Sequence, residues 1–396
     1  MKILQVIPYF YPAWTYGGPV RVAYDVSRGL AKKGHEVTVY TSDMKNCCTR
    51  IDSRAREVDG IEVHYFRNLS AMIANEMKLF ITPEIIPMIK RKIRSFDVAH
   101  LHEYRTFQNI AVHHYATKYG VPYVLQAHGS LPRIMAKQRL KWIYDVFFGY
   151  RFLKDASKVI ALCQMEAEQY MSMGVSEEKI RVIPNGIDLS KYADLSPKGS
   201  FKMRFNIPED KKIILYLGRI HKTKGIGFLV RAYAHLIKNM KYNDATLVIA
   251  GPDDGYLTEG KRLLTCLEVG DKAVFTGMLS EKEKLSAYVD SSIVVNVEPR
   301  NVFGLVPLEA ATCSTPVVVS KGNAISETIC EGNFGSSVKY GEVNELAEIM
   351  GKMLRNDDLL TEMGQNGRKF IYANCNWANI VTKLEKVYKE AVAGAK

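Results

Sequence analysis

No stretch of the 396-residue chain reaches the ~18–20 uninterrupted apolar residues that cross a bilayer. A membrane-spanning helix is therefore not expected. The opening MKILQVIPYF enters a strand-like segment with no signal-cleavage pattern, so the expected location is cytosolic. Cysteine is scarce: there are seven, an adjacent pair at Cys47 and Cys48 and then Cys163, Cys266, Cys313, Cys330 and Cys375 singly. That spacing fits neither a zinc pattern nor a disulfide framework, and reduced, mostly buried thiols are expected. Negative charge is also in short supply, with 42 Asp and Glu against 54 Lys and Arg for a formal +12. No nucleic-acid fold signature accompanies the excess, so nucleic acid is not an expected partner.

Residues 1–185 hold about 26 of the basic and about 17 of the acidic residues, so most of the excess lies in the first half. Two segments interleave basic and large apolar residues: KLFITPEIIPMIKRKIRSF (78–96) and RIMAKQRLKWIYDVFFGYRFLKDASK (133–158). Each reads either as a solvated basic face over a buried stripe or as a face for lipid or an anionic acceptor, and the sequence leaves both open.

What the chain does have is the composition of a globular protein, 47% hydrophobic and 24% charged. Its length favours two or three domains. Short apolar runs alternate with amphipathic stretches, the pattern of parallel βαβ units. Strands are expected in KILQVIPYF, EVTVYTS, IEVHYF, DVAHLH, PYVLQAHG and KVIALC, and later in KIILYLGRI, TLVIAG, AVFTGM, SSIVVNVE and PVVVS. The segment 183–210 is rich in Pro, Gly, Asn and Ser, has no sustained period, and marks an interdomain connection. The expected domains are 1–185 and 186–376, with a helix at about 377–396 packing back on the first. Ligands of such doubly wound sheets bind at the carboxyl ends of the strands, so a cleft there is the expected site.

Four constellations point to that site. Gly17 and Gly18 precede Pro19 at a helix entry, where backbone amides can approach a phosphate or sugar, although a plain tight turn explains them equally well. LGRIHKTKG places Arg219 and Lys224 after a strand, two cations suited to a diphosphate and to the charge it develops as a leaving group. QAHGSLPR puts His128 at a strand end beside Gly129, and no second ligand at metal spacing accompanies it. His100, His102, His113 and His114 are assigned to strand-helix packing. NVFGLVPLEA brings the amides of Phe303, Gly304 and Leu305 to a helix start. Glu309 follows in apolar surroundings, able to accept from two vicinal hydroxyls and in need of partners if buried.

Taken in order, GGPVR, QAHGSLPR, VIPNGID, LGRIHKTKG, FGLVPLEAATCSTPVV, ISETI and GEVNELAEIM resemble the retaining GT-B glycosyltransferases of family 4 over nearly the whole chain. The resemblance implies an α/β GT-B fold: two Rossmann-like, doubly wound parallel-sheet domains facing a central cleft. It implies a nucleoside-diphosphate sugar held mostly by the second domain, with Arg219 and Lys224 on the diphosphate and Glu309 on the ribose. Phe303, Gly304 and Leu305 would meet the sugar or phosphate, Gly17 and Gly18 would border the transfer point, His128 would contact the donor sugar, and Arg133 would lie on the acceptor side. Glu327 in ISETI matches a recurrent acidic position, taken here as structural. It implies sugar transfer with retention, by front-face attack, with no cofactor and no obligatory metal. The expected acceptor is a glycan or a polyprenyl-phosphate-linked one, and the basic, apolar-rich segments 78–96 and 133–158 are what motivate a peripheral place at the inner face of the plasma membrane.

One position departs from the family pattern. Its paired glutamates stand eight residues apart, and eight before Glu309 is Asn301, which keeps an acceptor oxygen, loses the charge and gains two donors. Three consequences stay open: an altered sugar preference, replacement by Glu298 reaching in from upstream, or reduced activity. The competing function classes are a GT-B nucleotide-sugar epimerase and a non-catalytic sugar-nucleotide-binding subunit.

Overall fold

The computed structural model describes residues 1–77, 79–133, 137–299, 304–322 and 324–395. They form two compact units, Met1–Gly186 with Trp377–Lys396, and Ile187–Asn376.

In the first unit β1 (Lys2–Val6), β2 (Glu36–Ser42), β3 (Ala55–Val58), β4 (Ile61–Phe66), β5 (Val98–His102), β6 (Tyr123–Gln126), β7 (Lys158–Ala161) and β8 (Ile180–Val182) build one sheet. Its order is β3-β4-β2-β1-β5-β6-β7-β8, parallel except for β3 against β4. β5 and β6 are buried from end to end, and β1 and β2 after their first residue, because apolar cores lie on both faces, one around Leu4, Leu101 and Leu125 and one around Ile3, Val39 and Val124. The strand order reverses at β1, with β2 on one side and β5 on the other, so the loops leaving β1 and β5 flank a crevice. The helix Trp377–Ala393 belongs to this unit and buries Ile380, Val381, Leu384 and Tyr388 in the same core as Ile3. It packs closely because Gly29 lacks a side chain; a Cβ there would stand 2.5 Å from Val381 Cγ2.

The second unit contains β9 (Lys212–Leu217), β10 (Ala245–Ala250), β11 (Ala273–Gly277), β12 (Ser291–Asn296), β13 (Val317–Ser320) and β14 (Gly335–Val338). The order β11-β10-β9-β12-β13-β14 is parallel throughout and reverses at β9, so the loops after β9 and β12 flank the second crevice.

Every expected strand is present. The three unexpected ones, β3, β8 and β14, are edge strands. Two further expectations are corrected. The connection 183–210 is not without helix: Ser200–Arg204 is helical because the buried Asp290 carboxylate accepts from the amides of Gly199, Phe201 and Lys202 at 2.6, 2.7 and 3.1 Å. The cysteines are not mostly buried either, since Cys47, Cys48, Cys266 and Cys330 are exposed on loops or solvent-side helix faces and only Cys163, Cys313 and Cys375 lie inside.

Candidate active site

Three loops of the second unit meet backbone to backbone at its switch point. After β9 the chain passes Gly218 and Arg219, makes a tight turn at Lys222–Lys224, and enters the helix Ile226–Lys238 through Gly225 at φ 74°. A Cβ on Gly225 would lie 2.2 Å from the carbonyl oxygen of Val297, at the end of β12, and one on Gly251 would lie 1.9 Å from the carbonyl oxygen of Gly218. Both positions therefore demand glycine, and that closeness brings the cations of one loop to the acids of the others. Lys224 Nζ is 2.5 Å from Glu298 Oε1, both side chains being largely buried. Arg219 Nη1 is 2.5 Å from Asp254 Oδ2, but here the guanidinium is 63% exposed and its partner 42%. An anion arriving at Arg219 competes with an exposed carboxylate, a weak opponent in water.

The next helix, Leu305–Thr312, starts at Gly304 and carries Glu309 in its second turn, 8% exposed. The carboxylate is held from the helix Glu281–Asp290: Tyr288 donates to Oε2 at 2.7 Å, and Lys284 Nζ is 3.4 Å from both oxygens. Lys284 and Tyr288 are four residues apart, hence on one helix face. Tyr288→Phe would leave Glu309 short of a charge-assisted hydrogen bond and is expected to lower stability by about 1.5–3 kcal/mol, read as a shifted denaturant midpoint at unchanged slope. Asn301 and Phe303 lie outside the described residues.

In the first unit Gly17 has φ 95° and precedes the helix Gly18–Lys32, with Pro19 in its first turn. A Cβ on either glycine would meet nothing within 4 Å, so protein crowding is not what requires two glycines here. His128 follows β6 in a left-handed conformation, φ 51°, fixed by its neighbours. The Ala127 amide donates to Tyr170 Oη at 3.0 Å, and the Gly129 amide to Glu166 Oε1 at 2.7 Å. His128 Nε2 lies 2.9 Å from His102 Nδ1. Burial pushes the His128 imidazole down to about 3 and His102 well below its usual value, so both rings are neutral. His102 is thus more than packing: it is bonded to the candidate site residue.

Arg133 does not point a free guanidinium at a ligand. Its Nε is 2.9 Å from Asp145 Oδ2, and its Nη2 donates to Tyr150 Oη. Asp145 is fully buried and also takes a bidentate pair from Arg105 at 2.9 and 2.8 Å, which ties the loop after His128 to the π-helical segment Asp145–Gly149. Glu103, which pattern reading passed over, stands at the end of β5 with φ 66°, accepts from Tyr9 Oη at 2.9 Å, and is pushed up to about 7 by burial. Among the described residues no group of three or more His, Cys, Asp or Glu is placed to hold a metal ion.

Against known proteins, a family model described as glycosyl transferases group 1 matches residues 198–370, and one described as Glycosyltransferase Family 4 matches residues 16–191. The chain belongs to this glycosyltransferase family. It is 28% identical over 403 residues to an uncharacterized glycosyltransferase of Methanocaldococcus jannaschii, covering 99% of each. In fold it is similar to sucrose-phosphate synthase from Thermosynechococcus elongatus, with a TM-score of 0.76 at 21% identity over 100% of both chains. It is also similar to HepE of Anabaena in complex with UDP-glucose, with a TM-score of 0.71 at 19% identity, covering 98% of this chain and 99% of that one. The fold of this glycosyltransferase is GT-B, as the two sheets and their switch points imply.

The sequence held a signal for some of the unforeseen partners. Lys284 and Tyr288 share a helix face, which their spacing alone suggests. Nothing local connects Glu166 to Gly129 or Asp254 to Arg219; those pairs exist only through the sheet.

Proposed function

We propose that this glycosyltransferase moves a sugar, with retention and without an obligatory metal, from a nucleoside-diphosphate sugar to a glycan or a polyprenyl-phosphate-linked acceptor. The observation that carries the reading is the pair Arg219 and Lys224 on one glycine-cornered loop at the switch point, Arg219 paired with Asp254 and Lys224 with Glu298. A diphosphate would take over from Asp254 and stand beside Lys224, and both cations would neutralise charge as the bond to the sugar breaks. Glu309, held by Tyr288 and Lys284, keeps lone pairs for the two ribose hydroxyls. His128 would meet the donor sugar, Gly17 and Gly18 would leave room at the transfer point, and Arg133 would shape the acceptor-side loop through Asp145. In the front-face step the acceptor oxygen bonds to the anomeric carbon as the carbon–phosphate-oxygen bond breaks on the same face. The departing phosphate oxygen takes the acceptor proton. A uridine donor is the first to test, since the similar HepE structure is described in complex with UDP-glucose.

A panel of nucleotide sugars, scored by nucleoside diphosphate release with and without lipid-linked acceptors, tests this. Acceptor-dependent release, unchanged in EDTA, is expected; a panel in which no nucleotide is bound or released would sink the reading. An epimerised nucleotide sugar from donor alone would replace it with the epimerase.

We further propose that the enzyme works at the cytoplasmic membrane surface. No helix among the described residues is long and apolar enough to cross a membrane. The helices Gln138–Tyr144 and Tyr150–Asp155, continuous through the π-helical segment Asp145–Gly149, instead present Leu140, Trp142, Val146, Phe147 and Phe148 to solvent, Phe147 at 71%. Exposed Lys137, Arg139, Arg151 and Lys154 accompany them. Apolar side chains with basic neighbours suit the interface of an anionic bilayer. The protein is expected to sediment with phosphatidylglycerol-containing vesicles and not with pure phosphatidylcholine. Phe147→Asp should weaken that binding about tenfold, the loss of roughly one buried aromatic side chain. Equal sedimentation with both lipids would remove the proposal.

A further inference from the structure

A line of hydrogen bonds inside the first unit runs from His128 to the C-terminal helix, and the mechanism above uses only its end. His128 Nε2 is 2.9 Å from His102 Nδ1, with the two ring planes 9° apart and their centroids separated by 5.2 Å. His102 Nε2 is 2.7 Å from Gln5 Oε1. Gln5 Nε2 donates to Tyr388 Oη at 3.4 Å, and Tyr388 Oη lies 2.7 Å from His100 Nδ1. Gln5, His100, His102 and Tyr388 are fully buried, so water does not compete for these bonds.

The line has a direction. An amide oxygen only accepts, so the Nε2 of His102 must carry its hydrogen. A neutral imidazole has one N–H, so the Nδ1 of His102 must accept, and the Nε2 of His128 must donate to it. The remaining nitrogen of His128, Nδ1, is then a bare lone pair on a partly exposed ring with no partner among the described residues. At the far end Tyr388 Oη accepts from the Gln5 amide nitrogen, which holds the Gln5 oxygen toward His102.

We propose that Gln5 and His102 are positioning residues that lock His128 as its Nε2–H tautomer, so that His128 meets its ligand through the Nδ1 lone pair and selects a hydrogen-bond donor, a sugar hydroxyl. The ligand half rests on the reading that His128 meets the donor sugar; the tautomer half does not. The backbone bonds of Ala127 and Gly129 already fix where the ring sits, so the relay is left to decide which hydrogen it carries.

The tautomer is measurable in the ligand-free full chain, labelled with 15N-histidine, from long-range 1H–15N correlations assigned with His128→Asn. His102 and His128 are expected as Nε2–H in the wild type. Gln5→Glu keeps an acceptor and should preserve that pattern, whereas Gln5→Leu removes it and should release His128 into a mixture of tautomers. An Nδ1–H His128 in the wild type, or a folded Gln5→Leu that retains pure Nε2–H, overturns the relay. If Gln5→Leu does not fold, the wild-type and Gln5→Glu spectra decide by themselves. For the ligand half, His128→Asn should weaken UDP-glucose about tenfold and leave UDP unchanged by calorimetry. Equal effects on both would overturn that half and the reading beneath it, with the tautomer result still standing.

Discussion

Replacing Lys224 by alanine is expected to lower kcat about 10²–10³-fold, the usual cost of removing one preorganised group that stabilises charge in the transition state. The reason goes beyond a lost cation. Lys224 is matched by Glu298 at 2.5 Å, and with the ammonium gone a largely buried carboxylate remains where diphosphate charge must develop. Lys224→Ala with Glu298→Gln should therefore recover part of the loss, a coupling that independent residues would not show. Arg219→Ala tests the same anion from the exposed side. Its pair with Asp254 is solvent-exposed and contributes about 0–1 kcal/mol to folding, so Tm should hardly move while turnover falls. Steady-state kinetics on the donor identified by the panel, beside thermal melts, separate the two effects. Unchanged turnover in Arg219→Ala would take that residue out of the site.

Much of this is legible in the sequence. Parallel strands buried on both faces are dense in Val, Ile and Leu, and each such run proved to be a strand. The three that escaped are sheet edges, where one flank needs no partner and the sequence is short or polar: AREV, IRV and GSSV. One of them did announce itself. Asp59 and Gly60 both have positive φ between β3 and β4, the two-residue turn that Asp-Gly favours in a hairpin. The site divides along the same line. Arg219, Lys224, His128 and Glu309 stand out because strand, glycine and charge occur together in a few residues. The groups that hold them do not, because Glu298 is 74 residues from Lys224 and Glu166 is 37 from Gly129. Only the parallel sheet, by ordering its strands out of sequence, brings such loops together. Glu298, one of the residues that could stand in for the acid missing at Asn301, pairs its carboxylate with Lys224.

Gly225→Ala should damage both the fold and the site, and a second glycine distinguishes the two reasons for expecting this. At φ 74° a non-glycine residue is strained, which by itself costs about 1–2 kcal/mol. Gly277, at φ 71° with nothing within 4 Å of its would-be Cβ, carries only that cost. At Gly225 the added methyl would also stand 2.2 Å from the Val297 carbonyl oxygen, a backbone atom that no side-chain rotation removes. The loops after β9 and β12 would have to part, and the expected total is about 3–5 kcal/mol, overpacking added to strain. Because Lys224 precedes this glycine and Glu298 follows that carbonyl, parting the loops also separates the ion pair at the anion site. UDP affinity should thus fall in Gly225→Ala and stay near wild type in Gly277→Ala, with denaturant midpoints ordered wild type, Gly277→Ala, Gly225→Ala. If the two variants lost the same stability, close backbone packing would not be what builds the switch point. If Gly225→Ala lost stability but kept its affinity for UDP, the anion would be held somewhere other than these loops.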